Sequence, residues 1–317
     1  MVDCKDYKII ENFHDRDNFD VSVIIVNWNA GMYLQETIES LFEKNQDISY
    51  ETIIIDNNSQ KDEVSYLYLD EILKYDNVTV VKSDENLGFA KANNYGMSIA
   101  KGRNFLILNP DVIFHNNTLK ILSDYLDNNE QVGMIGPKIL NPDGSFMQPC
   151  LRGKPYPLDT LFHLIGLAKA FPKCEKLNGY ALWHLDRNEI NECGALSGCC
   201  MMVKKSLFEE IGGMDEQFFM YQEETDWGLR TNKVGKTIVY NPNTEVTHIG
   251  GVTTKKIKIK AIWIFTQSMM KFFKKHFWND YNVFQKALWS LLIYGNFLLK
   301  YFISTLENLR QTQRKDS

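Results

Sequence analysis

A cluster of acidic residues in the second half of the chain could supply a general base. Five acids fall within twelve positions, namely Asp215, Glu216, Glu223, Glu224 and Asp226, and residues 218–221 just before the last three are apolar or aromatic. A carboxylate held against apolar surface has a raised pKa, as a general base needs. The same acids would also suit the first turn of an ordinary helix, where the helix dipole favours negative charge. The pattern by itself leaves both interpretations open.

A second candidate site follows the apolar residues 105–108. Four consecutive apolar residues predict a strand buried on both faces, which ends at Asn109, Pro110 and Asp111 because proline cannot donate to a sheet ladder. Ligands bind at the carboxyl edge of open α/β sheets. Asp111 there, beside the Asn109 carbonyl, suits a divalent cation held between protein oxygens and a diphosphate. A plain Asn-Pro-Asp turn is the alternative.

Polar residues also end the strands predicted earlier in the chain. Residues 21–26 lead into Asn27 and Asn29, residues 51–56 end in Asp56, and residues 78–81 lead towards Asn86 and Gly88. Strands that alternate with helices predict an α/β fold with a mostly parallel, Rossmann-like sheet flanked by helices. The polar ends would then converge, as a binding site requires, although each alone could be a helix cap or turn.

The composition is that of a globular protein, with 44% hydrophobic and 24% charged residues. The net charge of -5 is uneven, since residues 251–317 carry twelve Lys and Arg against three acids. A basic tail on an acidic body predicts an anionic surface as the tail's partner. Six cysteines without zinc-type spacing and an amino terminus without a signal-peptide core favour a cytosolic protein with reduced thiols.

The basic tail alternates lysines with apolar and aromatic residues over positions 255–275, and residues 287–299 form an uncharged run of thirteen. This run is shorter than the roughly twenty residues that span a bilayer. We therefore expect amphipathic helices over residues 251–317. Their partner could be the inner membrane surface, the body of the protein, or a second subunit in a homodimer.

Seven pieces of the sequence, in order over residues 21–251, resemble the inverting nucleotide-sugar glycosyltransferases of family 2, which have the GT-A fold. They are VSVIIVNWNAGMYLQETIESL, IIIDNNSQKDE, ENLGFAKANNYGMSIAKG, FLILNPDV, LSGCCMMVKK, IGGMDEQFFMYQEETDWGLR and HIGG. Within the family, NLGFAKANN, LNPDV and the EETDW segment are most similar to bacterial rhamnosyltransferases. The resemblance implies a leader over residues 1–20 and a catalytic domain over residues 21–250. Residues 21–115 would bind the nucleotide sugar, and residues 116–250 would bind the acceptor.

The resemblance implies a donor site along the predicted sheet edge. Asp56 would accept a hydrogen bond from the ring imide of uracil or thymine, which cytosine lacks. Further donor-binding residues would be Asn27, Asn29, Asn86, Gly88, Lys91, Asn93 and Asn109. Among these, Gly88 would let the backbone approach the diphosphate closely.

The resemblance also implies catalytic and metal-binding roles. Glu224 matches the family's catalytic base, with Glu223 and Asp226 as alternatives, and His248 matches a metal or phosphate partner. Asp111 would bind Mg²⁺ or Mn²⁺. The family usually has two aspartates flanking one residue, whereas Asn109 stands at the first position here. One charge fewer predicts weaker binding of the metal by the protein alone, with the substrate diphosphate supplying much of the affinity.

Together these features predict an inverting glycosyltransferase at the cytoplasmic membrane face. By resemblance it would transfer L-rhamnose from dTDP-rhamnose to a glycan acceptor, lipid-linked, in cell-surface polysaccharide synthesis. Residues 148–193, rich in proline and without a sustained period, would form the acceptor-side loop region. A transferase using a UDP-sugar is the alternative. A glycoside hydrolase built on Glu224 and a membrane-attached glycan-binding module explain fewer of the motifs, and no nucleic-acid partner is expected.

Overall fold

The computed structural model describes residues 7–12, 18–60, 71–250 and 258–315, so the rest of the predicted leader and residues 251–257 lie outside the described chain. The strands are β1 (Tyr7–Asn12), β2 (Phe19–Asn27), β3 (Tyr50–Asp56), β4 (Val78–Ser83), β5 (Gly102–Leu108), β6 (Val112–Phe114), β7 (Val132–Leu140), β8 (Leu151–Arg152), β9 (Asn191–Cys193), β10 (Ala195–Leu196), β11 (Cys200–Lys204) and β12 (Thr237–His248). The helices are α1 (Met32–Lys44), α2 (Phe89–Ile99), α3 (Thr118–Asn128), α4 (Pro157–Leu164), α5 (Leu167–Ala170), α6 (Lys205–Ile211), α7 (Glu223–Lys233), α8 (Lys258–His276) and α9 (Val283–Lys315).

A large mixed sheet runs through the body of the protein in the order β1-β4-β3-β2-β5-β11-β7-β12-β6, with β9 paired to β12. The four strands β4, β3, β2 and β5 are parallel. Their continuous apolar runs are buried on both faces, as expected for parallel strands covered by helices. The α/β fold class with a helical C-terminal extension is confirmed. The run of parallel strands is interrupted by β11, which is antiparallel to both β5 and β7, and β7 and β12 are again parallel to each other.

The ends of these strands form the predicted polar edge. Asn27 and Asp56 are paired in register as the last residues of β2 and β3. Beyond β5 the chain turns and returns as β6, which pairs with the end of β12 so that Val112 lies opposite His248. The sequence predicts a strand over residues 237–240, followed by a short turn to His248. In the structure β12 instead continues to His248, with an irregularity in its pairing between Asn241 and Glu245.

The proline-rich segment over residues 148–193 is more regular than its sequence suggested. It contains β8, α4 and α5, together with 3₁₀ turns at Gln148–Cys150 and Glu175–Leu177. The buried Asn178 side chain donates to the carbonyls of Phe171 at 2.8 Å and Cys174 at 3.0 Å. These bonds replace the repeating contacts of a helix or strand, so the segment is ordered without a sequence period.

The C-terminal helices pack against the body of the protein on one side only. Phe272 of α8 is buried against Phe218 and Leu229, and Ile293 of α9 is buried against Met270 and Phe273. Within the described chain one helix is long and apolar enough to cross a membrane by length and composition, over Val283–Thr305, and only 11% of that window is buried. The uncharged run over residues 287–299 is too short to span a bilayer, as expected from the sequence. The helix that contains it is nevertheless long enough.

Candidate active site

The first part of the site lies at the ends of β2 and β3, around Asp56. The Oδ1 atom of Asp56 accepts hydrogen bonds from Asn27 Nδ2 at 3.0 Å and from the Ser59 hydroxyl at 2.5 Å. Oδ2 has no protein partner among the residues that the structure describes. Asn29, with a positive φ of 54°, donates its backbone N–H to Ser59 Oγ at 2.9 Å. The buried carboxylate is therefore fixed through one oxygen and can accept a bond through the other.

The donor loop, residues 86–89, packs directly on the loop before the acidic cluster. Asn57 Nδ2 donates to Asn86 Oδ1 at 2.9 Å and to the Gly88 carbonyl at 3.2 Å. Gly88 has a φ of +85°, and a Cβ there would lie 2.5 Å from the Phe219 carbonyl oxygen. The Phe89 N–H donates to that same oxygen at 2.8 Å. The close contact requires glycine, so Gly88 joins the predicted donor loop to the acidic motif.

Two buried amide oxygens at this edge have no partner in the described chain, Asn27 Oδ1 and Asn93 Oδ1. Asn93 lies in the first turns of α2 and donates through Nδ2 to the Phe89 carbonyl at 2.9 Å. Lys91, half-buried, lies in the same part of the helix. A buried polar atom without a partner costs stability, so these two oxygens are candidate ligand contacts.

A second polar group forms where β5 ends beside the end of β12. His248 Nε2 lies 3.1 Å from Asp111 Oδ1 and 3.3 Å from Asn109 Nδ2. The Gly250 N–H donates to Asp111 Oδ2 at 3.1 Å, and the Asn109 N–H donates to the Cys199 carbonyl at 2.9 Å. The residues predicted to hold the metal and the diphosphate are thus in mutual contact.

Asp111 and His248 could supply two ligands to a divalent ion that takes its other ligands from water and a diphosphate. Burial lowers the pKa of His248, but Cys199 and the Asp111 carboxylate outweigh it and raise that pKa to about 11, so an ion would have to displace a proton from this imidazole before binding to it. No group of three or more His, Cys, Asp or Glu residues that could hold a metal occurs in the described part of the chain. One carboxylate and one imidazole can hold Mg²⁺ or Mn²⁺ when water and a diphosphate complete the shell.

The third part of the site is Glu224, in the first turn of α7. Its Oε1 atom lies 2.9 Å from Nη2 of Arg152, which also donates to the Leu196 carbonyl, while Nη1 donates to Thr225 Oγ1 at 3.2 Å. Glu224 Oε2 has no protein partner in the described chain. Glu224 and Arg152 both line a cavity of about 1040 Å³. The carboxylate is thus held at one oxygen on the wall of a large cleft.

The neighbouring Glu223 has a different environment. It is buried, and its Oε2 has no partner among the described residues. Burial, followed by the negative charge of Glu224, raises the pKa of Glu223 well above its ordinary value. The pKa-raising environment expected for the base therefore acts on Glu223, which does not line the cavity.

Asp226 points into an ion-pair cluster beneath the C-terminal helices. It lies 2.8 Å from Arg230 Nε, 2.6 Å from Lys275 Nζ and 2.6 Å from His276 Nε2, and is fully buried. Burial would raise the pKa of Asp226, but the bonds from His276, Lys275 and Arg230 lower it to about 2. These contacts connect α7 to α8, so we do not retain Asp226 as a candidate base.

The segment over residues 197–199 connects the separate groups. Cys199 accepts the Asn109 N–H through its carbonyl. At Gly198 a Cβ would lie 3.4 Å from the Phe89 ring and 3.7 Å from Glu224 Cβ. The donor loop, the Asp111 pair and Glu224 therefore meet along one continuous edge. Their individual roles stay predictions.

Two residues of this edge were not anticipated from the sequence. Ser59 binds both Asp56 and Asn27, and its place in the polar run after β3 was the available signal. Arg152 contacts Glu224 from a strand of only two residues. A single arginine in a proline-rich stretch gives no pattern from which this contact could be foreseen.

Known proteins resemble this chain in sequence and in fold. The family model "Glycosyl transferase family 2" matches residues 22–212. The N-acetylglucosaminyl-diphospho-decaprenol L-rhamnosyltransferase of Mycobacterium tuberculosis is 29% identical over 238 residues, covering 71% of this chain and 75% of that protein. The dTDP-rhamnosyl transferase RfbF of Shigella flexneri is 25% identical over 248 residues, covering 77% of this chain and 73% of the relative.

Solved structures share the fold at low identity. GalNAc-T7, crystallised with UDP, GalNAc and Mn²⁺, aligns with a TM-score of 0.56 and 19% identity, over 74% of this chain but only 44% of its own. The mannosyltransferase PcManGT of Pyrobaculum calidifontis, with GDP-Man and Mn²⁺, aligns with a TM-score of 0.54 and 15% identity over 81% of this chain and 65% of its own. Since the family model covers more than half of the sequence, this chain belongs to glycosyl transferase family 2 and is a glycosyltransferase.

Proposed function

We propose that this enzyme is an inverting hexosyltransferase that moves L-rhamnose from dTDP-rhamnose onto a lipid-linked glycan in bacterial cell-surface polysaccharide synthesis. Two relatives named as rhamnosyltransferases support the donor, and the printed name of one of them includes a diphospho-decaprenol acceptor. The observation that carries the proposal is the placement of Asp56 and Glu224. Each is fixed through one carboxylate oxygen and leaves the other without a protein partner in the described chain.

At the donor end, Asp56 Oδ2 would accept the ring imide N–H of thymine or uracil. Cytosine has no such proton, so a cytidine donor would leave the buried oxygen unpaired. The unpaired oxygens of Asn27 and Asn93 could accept hydrogen bonds from hydroxyl groups of the donor. Asn29, Asn86, Gly88 and Lys91 would lie around it. Because uracil and thymine present the same imide, a UDP-sugar remains the alternative donor.

The leaving diphosphate would lie against Asp111, His248 and Asn109. A divalent ion bound there, Mg²⁺ or Mn²⁺, would neutralise the negative charge that develops on the diphosphate. Asp111 and a deprotonated His248 would supply two ligands to such an ion, with Asn109 beside them. The single carboxylate means that donor and metal bind best together.

At the acceptor end, Glu224 would act as the general base. The free carboxylate oxygen of Glu224 takes the proton of the acceptor hydroxyl. The acceptor oxygen attacks the anomeric carbon in line, and the bond from this carbon to the diphosphate oxygen breaks. The configuration at this carbon is therefore inverted. Arg152 holds the other carboxylate oxygen at 2.9 Å and so orients the base.

A glycoside hydrolase is less well supported by the same geometry. Such an enzyme uses two carboxylates that flank one glycosidic bond. Among the described residues that line the cavity, Glu224 is the only carboxylate, because Glu223 and Asp226 are buried elsewhere. The arrangement favours one base acting on an activated donor.

We also propose that the enzyme works at the cytoplasmic membrane face. The exposed apolar residues of α9 and the excess of basic residues in the tail support attachment to an anionic lipid surface. A homodimer formed through the C-terminal helices is the alternative use of the same face.

The decisive test of the chemistry is Glu224→Gln, assayed with dTDP-rhamnose and a lipid-linked acceptor. We expect transfer to fall by roughly 10²–10⁴-fold, since general-base catalysis contributes about that much. Donor binding measured by calorimetry should stay unchanged. Glu210→Gln, an exposed change in α6, is the matched control. Full turnover in the Glu224 variant would remove this residue from the role.

A further inference from the structure

We propose, resting on the function proposed above, that the cavity beside Glu224 binds the polyprenyl tail of the acceptor's lipid diphosphate carrier. The cavity of about 1040 Å³ is large for one sugar, since small-molecule sites usually measure roughly 300–1,000 Å³. One wall comes from the segment around α4 and the other from α8 and α9. Apolar side chains from both walls face it, including Leu161, Leu164, Phe265, Met269, Leu292 and Ile293.

Charge is distributed in the cavity as an amphiphilic acceptor would require. The charged or titratable lining residues other than tyrosine are Glu224, Arg152, His163 and Lys300. Lys300 and Arg152 line the same cavity as His163, and burial followed by their positive charges lowers the pKa of His163. Arg152 also has a buried Nε without a partner in the described chain. A diphosphate would bind these cations while the sugar hydroxyl reaches Glu224.

Lys300 is free to contact such a diphosphate. Its ammonium lies 5.0 Å from the centre of the Phe265 ring, and no carboxylate pairs with it among the described residues. The position follows the apolar stretch of α9, so the cation stands where apolar lining gives way to charge. The lining therefore contains a base, cations and an apolar wall, which are the groups that a sugar hydroxyl, a diphosphate and a long apolar chain would each contact.

The apolar part of the cavity continues onto the exposed face of α9. Leu291 and Leu299 line the cavity and yet remain largely exposed, at 69% and 59%. The same face belongs to the helix that has the length and composition to enter a membrane. A polyprenyl chain would therefore have a continuous apolar path from the lipid phase to the base, which a soluble glycan would not need.

A matched pair of variants tests the tail site in the full chain. Leu298 and Leu299 are adjacent and similarly exposed, at 64% and 59%, but only Leu299 lines the cavity. We expect Leu299→Glu to raise the KM for a polyprenyl-diphosphate sugar by about tenfold or more, because a carboxylate would meet the apolar chain. The KM for the same sugar on a short alkyl diphosphate and the KM for the donor should not change. Leu298→Glu should leave all three within about twofold.

Equal effects of Leu299→Glu on the long and the short acceptor, or no effect on either, would overturn the tail site. A change from dimer to monomer in light scattering for Leu299→Glu alone would also overturn it, since the face would then be a subunit interface. Binding of a polyprenyl phosphate without sugar can be followed by the fluorescence of Trp289, which lines the cavity. Binding that is weakened by Leu299→Glu but not by Leu298→Glu supports the site even if no donor is turned over. Failure of transfer with every nucleotide sugar would instead refute the proposed function.

Discussion

Replacing Asp226 with asparagine tests whether this acid of α7 is structural, in contrast to the proposed base Glu224. The buried carboxylate holds Arg230, Lys275 and His276 at 2.6 to 2.8 Å. Its pKa of about 2 lies nearly two pKa units below the ordinary value of 3.8, which corresponds to roughly 2 kcal/mol of folding free energy at neutral pH. Removing one partner of a buried ion pair adds the cost of the charges left behind. We expect Asp226→Asn to destabilise the protein by about 3 kcal/mol in total.

The pH dependence has a defined sign. Because the pKa of Asp226 is lower in the folded state, its contribution is complete above the unfolded value of 3.8 and is lost as the pH falls towards 2. Urea midpoints of the wild type and the variant should therefore differ most at neutral pH and converge below pH 4. The thermal midpoint at neutral pH should fall by roughly 5–10 °C.

Asp215→Asn is the matched control, since Asp215 binds the same Lys275 at 2.5 Å but keeps 27% of its side chain exposed. A partly exposed pair contributes about 1 kcal/mol or less, so the control should unfold close to the wild type. At temperatures well below its thermal midpoint, the Asp226→Asn variant should retain transfer activity, whereas the Glu224→Gln variant should not. An Asp226 variant of unchanged stability that has lost transfer would refute the assignment of this residue to anchoring α8.

Three further changes test the donor and metal groups. Asp111→Ala should raise the Mn²⁺ concentration for half-maximal activity by roughly tenfold or more, since it removes the single charged ligand, and an unchanged metal titration would contradict this role. Asp56→Ala should weaken binding of dTDP and UDP by about tenfold in calorimetry while leaving CDP unaffected, and a uniform loss would argue against imide recognition. Gly88→Ala places a Cβ 2.5 Å from the Phe219 carbonyl and should lower both stability and donor affinity. Gly235 has a similar positive φ, but a Cβ there would meet no atom within 4 Å. An equal loss of donor affinity in Gly235→Ala would mean that backbone strain, and not the contact with Phe219, causes the defect.

The sequence predicts the first half of the fold well because its signals are local. The runs that become β2, β3 and β5 are continuous and apolar, and each is followed by polar residues that the structure places along one edge. Strand direction is less readable in the second half. The apolar residues of β7 and β11 would look alike in either direction, so the antiparallel pairing of β11 could not be foreseen.

The contacts of Asp226 and Glu224 depend on distant parts of the chain. Arg230 lies one helical turn from Asp226 and could be paired by spacing, but Lys275 and His276 come from a separate helix nearly fifty residues later. Arg152 reaches Glu224 across seventy-two positions. Sequence patterns report the local period of a helix or strand and carry no information on such pairings.

The anchor between α7 and α8 bears on how the enzyme could be shortened. Glu224 and Asp226 are two residues apart in α7. The helix that would present the base to the acceptor is therefore also bound by the tail, through Lys275 of α8. A protein cut before Lys258 would lose Lys275 and His276, two of the three cationic partners of the fully buried Asp226, and would uncover Phe218 and Leu229. Deleting the tail to obtain a smaller, more soluble enzyme would consequently disturb the helix that carries the proposed base.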